Sequence, residues 1–275
     1  MSNDMDDRQR KTIQNVWWYI AVAMSETIGT ALLVFLGCSS AVPSITSTPP
    51  SHIQICLVFG FAVCIIIQMF GHVSGAHLNP AVTVSACIFR LVPVSIIALY
   101  FVSQLIGGIL GYGAILSLYP AQSNMNVTHG FCTTVPNPGI STFQAFLVEF
   151  FASSILILIC CGVWDKRNAN KHDSAPIKFG LAITAIATPL GPYTGGSMNP
   201  ARSFAPALFT GVWNAHWIYW LAPISAGVLV TYFYKFVFDR QPPPPEPDQS
   251  DLPLNQSNFK MRNADKTSNE ALSSE

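Results

Sequence analysis

Hydrophobic residues in this chain gather into long stretches separated by short polar intervals. Six stretches, at 17–38, 53–70, 93–118, 143–164, 175–190 and 216–238, are long enough to cross roughly 30 Å of hydrocarbon. Two shorter apolar pieces, 80–89 and 200–210, have about half that length, and each directly follows an asparagine. They read as half-helices that enter a membrane and turn back. The expected fold is an all-α membrane protein with six transmembrane helices and two re-entrant half-helices.

The two half-helices belong to a duplication. Asn79-Pro80-Ala81 recurs 120 positions later as Asn199-Pro200-Ala201. The same offset pairs Phe59-Gly60 with Phe179-Gly180, Ala62 with Ala182, Gly71 with Gly191 and Gly75 with Gly195. Three spans per copy is an odd number, so the second copy must run upside down relative to the first. This is an inverted 3+3 repeat whose shared interface lies at the bilayer midplane.

Charge sets the orientation. Arg8, Arg10, Lys11, Arg90, Lys166, Arg167, Lys171, Lys178, Lys235 and Arg240 all flank spans on one side, while loops 39–52 and 118–141 contain no Lys or Arg. Because positive residues collect in cytoplasmic loops, both termini are expected in the cytoplasm of a multi-pass protein, with the plasma membrane as the expected location. Arg202 is the exception, away from that side. Composition agrees: half the residues are hydrophobic and a tenth charged, and mean hydropathy is +0.39.

The domain boundaries follow from these patterns. Residues 1–15 form a polar cytoplasmic segment with no sign of a removable signal peptide. Residues 16–240 form the membrane domain, with repeats at 16–120 and 141–240. From 241 to 275 a proline-rich and then polar tail is expected to be disordered, either simply solvated or regulated through its serines and threonines. Asn126-Val127-Thr128 satisfies the glycosylation pattern in an expected extracellular loop.

Seven cysteines include five within the spans, Cys56, Cys64, Cys87, Cys160 and Cys161, where packing is the expected role. Cys132 alone sits in an extended extracellular loop. No metal-ligand spacing appears, and His72 and His77, five apart, do not form a helical ligand pair. Gly107 and Gly111 suggest close helix packing in the third span. No cofactor, no nucleic-acid partner and no catalytic set at membrane depth is expected, so an enzyme is excluded.

Two loops returning from the membrane interior cannot face lipid with unpaired backbone, so they must be buried or line water. Their sequences, Ser74-Gly75-Ala76-His77-Leu78 and Thr194-Gly195-Gly196-Ser197-Met198, are small and glycine-bearing. The carbonyls of Gly75, Ala76, His77, Gly195 and Ser197 can accept hydrogen bonds from a file of polar solutes. Each Asn caps its half-helix and each Pro takes the first helical position, where its missing N–H is harmless. Two positive helix ends and two asparagine amides then meet at mid-membrane, welcoming a neutral oxygen and repelling cations. Glu26 and Glu149 occupy equivalent spans; each either accepts N–H bonds from a re-entrant loop or takes part in a proton relay or ion coupling.

Over about 17–238 these residues resemble the aquaporins, the major intrinsic proteins. The resemblance rests on residues 74–83, on 193–204 and on His216-Trp217-Ile218-Tyr219-Trp220. It implies a passive channel, a homotetramer with one pore per subunit in the lipid bilayer, and a narrow filter of four residues. By counting from the two motifs these are Phe59, Ala187, Gly196 and Arg202. Strict water channels carry histidine where Ala187 stands, and some relatives carry a mercury-sensitive cysteine where Gly196 stands. The methyl group widens the filter and makes it more apolar, so glycerol, urea and similar small polyols are expected to pass beside water, with protons and ions excluded. The combination is similar to that of insect glycerol-permeable channels, the entomoglyceroporins. Against it, glycerol facilitators usually carry aspartate after the filter arginine, where this chain has Ser203-Phe204-Ala205, and Tyr219-Trp220 also fits the water-channel branch. A strictly water-selective channel and a non-conducting junctional protein are the alternatives.

Overall fold

The computed structural model describes residues 2–42, 50–118 and 131–239, with side chains from residue 14 onward. The candidate glycosylation site Asn126 and the tail from 241 lie outside the described residues. Among the described residues there is no strand; the helices are α1 (Ser2–Ser39), α2 (His52–Ser74), α3 (Pro80–Ile88), α4 (Ile97–Leu118), α5 (Thr142–Trp164), α6 (Ala175–Thr194), α7 (Pro200–Thr210) and α8 (Ile218–Val237). A 3-10 turn, Val94–Ile96, leads into α4, and another, Lys166–Ser174, joins α5 to α6.

Long helices α1, α2, α4, α5, α6 and α8 span the membrane, while α3 and α7 are the half-helices. By length and hydropathy alone, five segments qualify as spans, and α6 does not. Lys178, Pro189 and Pro192 dilute its hydropathy. Three ends differ from the sequence expectation, and in one of them α2 runs on to Ser74 instead of stopping at 70. The first helix begins at Ser2, well ahead of the apolar stretch, and α6 continues through both prolines to Thr194 instead of stopping at 190. Pro192 has no N–H to give the Thr188 carbonyl one turn back. That carbonyl is instead 2.9 Å from His52 Nε2, which must be the donor because a carbonyl only accepts. Gly195, at φ 85°, then ends the helix with its N–H on the Gly191 carbonyl.

The packing repeats the duplication. Helix α1 lies along α4 as α5 lies along α8, and α2 meets α6 between the copies. Each half-helix docks on the other copy, α3 against α8 and α7 against α4. Small residues make these approaches possible. A Cβ on Gly107 or Gly111 would lie 2.3 or 2.2 Å from a carbonyl oxygen of α1. Gly108 and Gly227 receive the Ala201 and Ala81 carbonyls of the two half-helices in the same way.

Where α2 crosses α6, Gly60 and Gly180 face one another. A Cβ on Gly60 would sit 2.4 Å from the Gly180 carbonyl oxygen and 2.1 Å from Thr184 Oγ1. Backbone on both sides cannot retreat as a flexible side chain would. Gly60→Val is therefore expected to destabilise the protein by about 1–3 kcal/mol or more. Thermal unfolding in detergent, followed by tryptophan fluorescence, checks this, and an unchanged midpoint would refute it.

Outside the spans, Asp165 ties the α5–α6 connection to the end of α8. Its carboxylate accepts from Arg167 Nε at 2.8 Å, from the Arg167 main-chain N–H at 2.9 Å and from the Tyr234 hydroxyl at 3.0 Å. Arg167 Nη2 also donates to the Phe238 carbonyl at 2.7 Å. The guanidinium's hydrogen bonds hold the Asp165 carboxyl well below the usual carboxylate range.

Candidate functional site

The two re-entrant loops have nearly superposable backbones. Gly75, Ala76 and Leu78 have φ of 87°, 46° and 55°, and Gly195, Gly196 and Met198 have 85°, 60° and 52°. Left-handed conformations at Ala76, Leu78 and Met198 are strained by about 1–3 kcal/mol each and persist only where the surroundings over-determine them. The surroundings do so through two fully buried carboxylates.

Glu26 Oε1 accepts from Ser74 Oγ at 2.6 Å and His77 N–H at 2.8 Å, and Oε2 accepts from Leu78 N–H and Gln104 Nε2, both at 2.8 Å. Glu149 repeats the pattern: Oε1 takes Thr194 Oγ1 at 2.6 Å and Ser197 N–H at 2.9 Å, and Oε2 takes Met198 N–H at 2.8 Å. Tyr100 and Tyr219 finish each brace by donating to the Ser74 and Thr194 carbonyls. His77 stacks on Tyr100 with ring centroids 4.8 Å apart and lies 3.2 Å from Thr83 Oγ1 through Nδ1.

At the meeting point of the loops, the asparagines lock the copies to one another. Asn79 Nδ2 donates to the Met198 carbonyl at 2.8 Å, and Asn199 Nδ2 donates to the Leu78 carbonyl at 2.7 Å. Their Oδ1 atoms cap the half-helices, Asn79 accepting from Ala81 N–H and Asn199 from the N–H groups of Ala201 and Arg202. An amide nitrogen carries two N–H groups, so each Asn keeps one for a passing oxygen.

A cavity of about 270 Å³ runs past both asparagines and is lined by Gly75, Ala76, His77, Gly195, Gly196 and Ser197 from the loops. Phe59, Ala187 and Arg202 also line it. The structure thus brings together all four residues expected at the narrow point. Arg202 is the only buried Lys or Arg among the described residues, and its guanidinium carbon stands 5.0 Å from the centroid of the Phe59 ring. A Cβ on Gly196 would be 3.8 Å from the Ala187 Cβ, so these two positions are neighbours on the cavity lining and neither carries a side chain larger than methyl.

Two features of this region escaped the sequence reading. Cys38, at the end of α1, is disulfide-bonded to Cys132. The Cys132 carbonyl accepts from Arg202 Nη1 at 2.7 Å, and its Sγ lies 3.4 Å from Nη2. His52 packs one turn beyond Ala187, against Gly191 of α6, with Cys56 beside it. The signal available for the disulfide was that Cys38 and Cys132 both fall at the side free of Lys and Arg. Among the described residues, no group of three His, Cys, Asp or Glu side chains could hold a metal ion.

Comparison with known proteins agrees with this geometry. The family described as "Major intrinsic protein" matches residues 13–234. Aquaporin-2 of Rattus norvegicus is 35% identical over 219 residues, covering 78% of this chain and 77% of its own. Lens fiber major intrinsic protein of Lithobates pipiens is 34% identical over 218 residues, covering 78% and 79%. Among solved structures, the aquaglyceroporin from Plasmodium falciparum superposes with a TM-score of 0.72 at 28% identity, covering 80% of this chain and 96% of that one. With its paired Asn-Pro-Ala half-helices beside a shared cavity, the chain belongs to the major intrinsic protein family, passive transmembrane channels for water and small solutes and not enzymes.

Proposed function

We propose that this channel conducts water together with glycerol, urea and similar small uncharged molecules, with Phe59, Ala187, Gly196 and Arg202 as its selectivity filter. The observation that carries this reading is the wall formed by Ala187 and Gly196. Ala187 and Gly196 line the same cavity as Phe59 and Arg202 and carry no more than a methyl group and a hydrogen, which in this reading leaves room for a carbon skeleton against Phe59 while hydroxyls reach Arg202 and the loop carbonyls. Likeness to a protein titled an aquaglyceroporin supports it. Ser203, the residue that argues for water alone, is fully buried and bonded to Thr134 Oγ1 at 2.7 Å, out of the path of permeants.

In this reading Glu26 and Glu149 brace the loops, and the carbonyls of Gly75, Ala76, His77, Gly195 and Ser197 hand oxygens along the file. The two capped helix ends and Arg202 exclude protons and cations. The protein functions as a homotetramer in the plasma membrane with both termini cytoplasmic; the broad apolar outer surface, including the repeat-related Phe61 and Leu181, supports burial in lipid and against neighbouring subunits, and the distribution of Lys and Arg supports the orientation.

Stopped-flow light scattering on proteoliposomes tests the proposal. Water, glycerol and urea should all cross well above the rate of empty vesicles. Fast water flux with background glycerol and urea flux would overturn the solute reading, and background flux of all three would overturn conduction.

A further inference from the structure

The segment after residue 130 crosses the mouth of the cavity as a strap. The Phe131 carbonyl accepts from Tyr112 Oη at 3.0 Å, Thr134 Oγ1 donates to Ser203 Oγ, and Asn137 N–H donates to the Tyr193 carbonyl at 2.8 Å. Cys132 is the point of this strap that touches the filter, since both of its acceptor atoms face the Arg202 guanidinium. It has a left-handed φ of 62°, an unfavourable conformation for a residue with a side chain. Its covalent tether ends at Cys38, which is fully buried in α1 between the spans.

We propose that the Cys38–Cys132 disulfide is a positioning element for selectivity, holding Arg202 against the pore wall so that its reduction lowers glycerol passage relative to water. This rests on the reading of Arg202 and Phe59 as one side of the filter. A guanidinium has five N–H donors and no way to shed its charge, so in a buried site it follows its acceptors. With the tether intact, the Cys132 carbonyl holds it to the side. Once the tether opens, the strained main chain at Cys132 relaxes, the carbonyl shifts, and Arg202 turns toward the remaining oxygens in the lumen. The larger solute then loses more room than water does. Opening the bond takes two electrons from a phosphine reductant, which leaves as its oxide with an oxygen from water, while that water's two protons complete the two thiols.

The full-length protein in proteoliposomes, with and without a water-soluble phosphine on both sides, gives the test. Mass shift on maleimide labelling verifies that the bond has opened, against a background of five free cysteines in the described residues. Reduction is expected to lower the glycerol-to-water flux ratio by about threefold or more, and reoxidation to restore it. Cys38→Ser, which leaves Cys132 in place, should show the lowered ratio without reductant and no response to it. If the bond opens and the ratio stays within about twofold, the proposal is overturned. It is equally overturned if only the unfolding temperature moves, because that is the mark of a structural staple. Should Cys38→Ser fail to fold, reduction of the assembled wild type still decides the matter. Background glycerol flux in the oxidised protein would refute the substrate reading separately; the disulfide is then judged on water flux, a shift of about twofold supporting it and constancy overturning it.

Discussion

Ala187→His is expected to cut glycerol and urea flux by about tenfold or more while water flux stays within about twofold. Ala187 lines the cavity beside Gly196, so an imidazole here adds its bulk where the neighbouring residue has no side chain. It fills the volume a carbon skeleton needs and supplies a donor and an acceptor that a water molecule can use. A tenfold loss corresponds to only about 1.4 kcal/mol, a small steric term on the scale of packing effects, so the change should act without unfolding the helix. Parallel stopped-flow traces for the three solutes on the same vesicle preparation give the result. Glycerol flux equal to that of the unmodified protein would show that the constriction lies elsewhere.

The second large effect is on assembly. Glu26→Gln should abolish the folded, conducting protein, although it is nearly isosteric. The carboxylate accepts four hydrogen bonds, two at each oxygen. Glutamine has one oxygen and one NH₂ group, which would face two further donors in a fully buried site. Hydrogen bonds to a charged group contribute about 1.5–3 kcal/mol each, so losing two costs roughly 3–6 kcal/mol, against a total stability of about 5–15 kcal/mol. The strained loop at Ala76 and Leu78 then loses half of its carboxylate brace and keeps the bonds from Tyr100 and Asn199 to the Ser74 and Leu78 carbonyls. Size-exclusion profile and melting temperature in detergent, followed by flux, check this. A well-folded Glu26→Gln protein with normal flux would remove the bracing role, and a folded one with a changed pH dependence of flux would favour a proton relay.

Much of this architecture was visible in the sequence because the duplication writes each element twice. Asn79 and Asn199 marked the half-helices, and the resemblance to the aquaporins, counted from those two motifs, pointed to Phe59, Ala187 and Arg202. One carboxylate per copy pointed to one loop per copy. What the sequence hid were partners with no repeat counterpart or no local pattern. Cys38 and Cys132 lie 94 residues apart, and an odd number of cysteines with most inside spans gave no pairing rule. His52 could not be linked to Thr188, because the reason for their contact is an N–H that Pro192 lacks. The end of α6 was placed too early for the same cause: prolines read as a stop, while tertiary contacts carried the helix on to Gly195.

The reciprocal asparagine lock has a consequence for biosynthesis. Each loop's central carbonyl, at Leu78 or Met198, finds its donor only on the opposite copy. A chain with just its first half inserted therefore has no finished conduit, because neither the Leu78 carbonyl nor the Asn79 amide has its partner until the second half arrives.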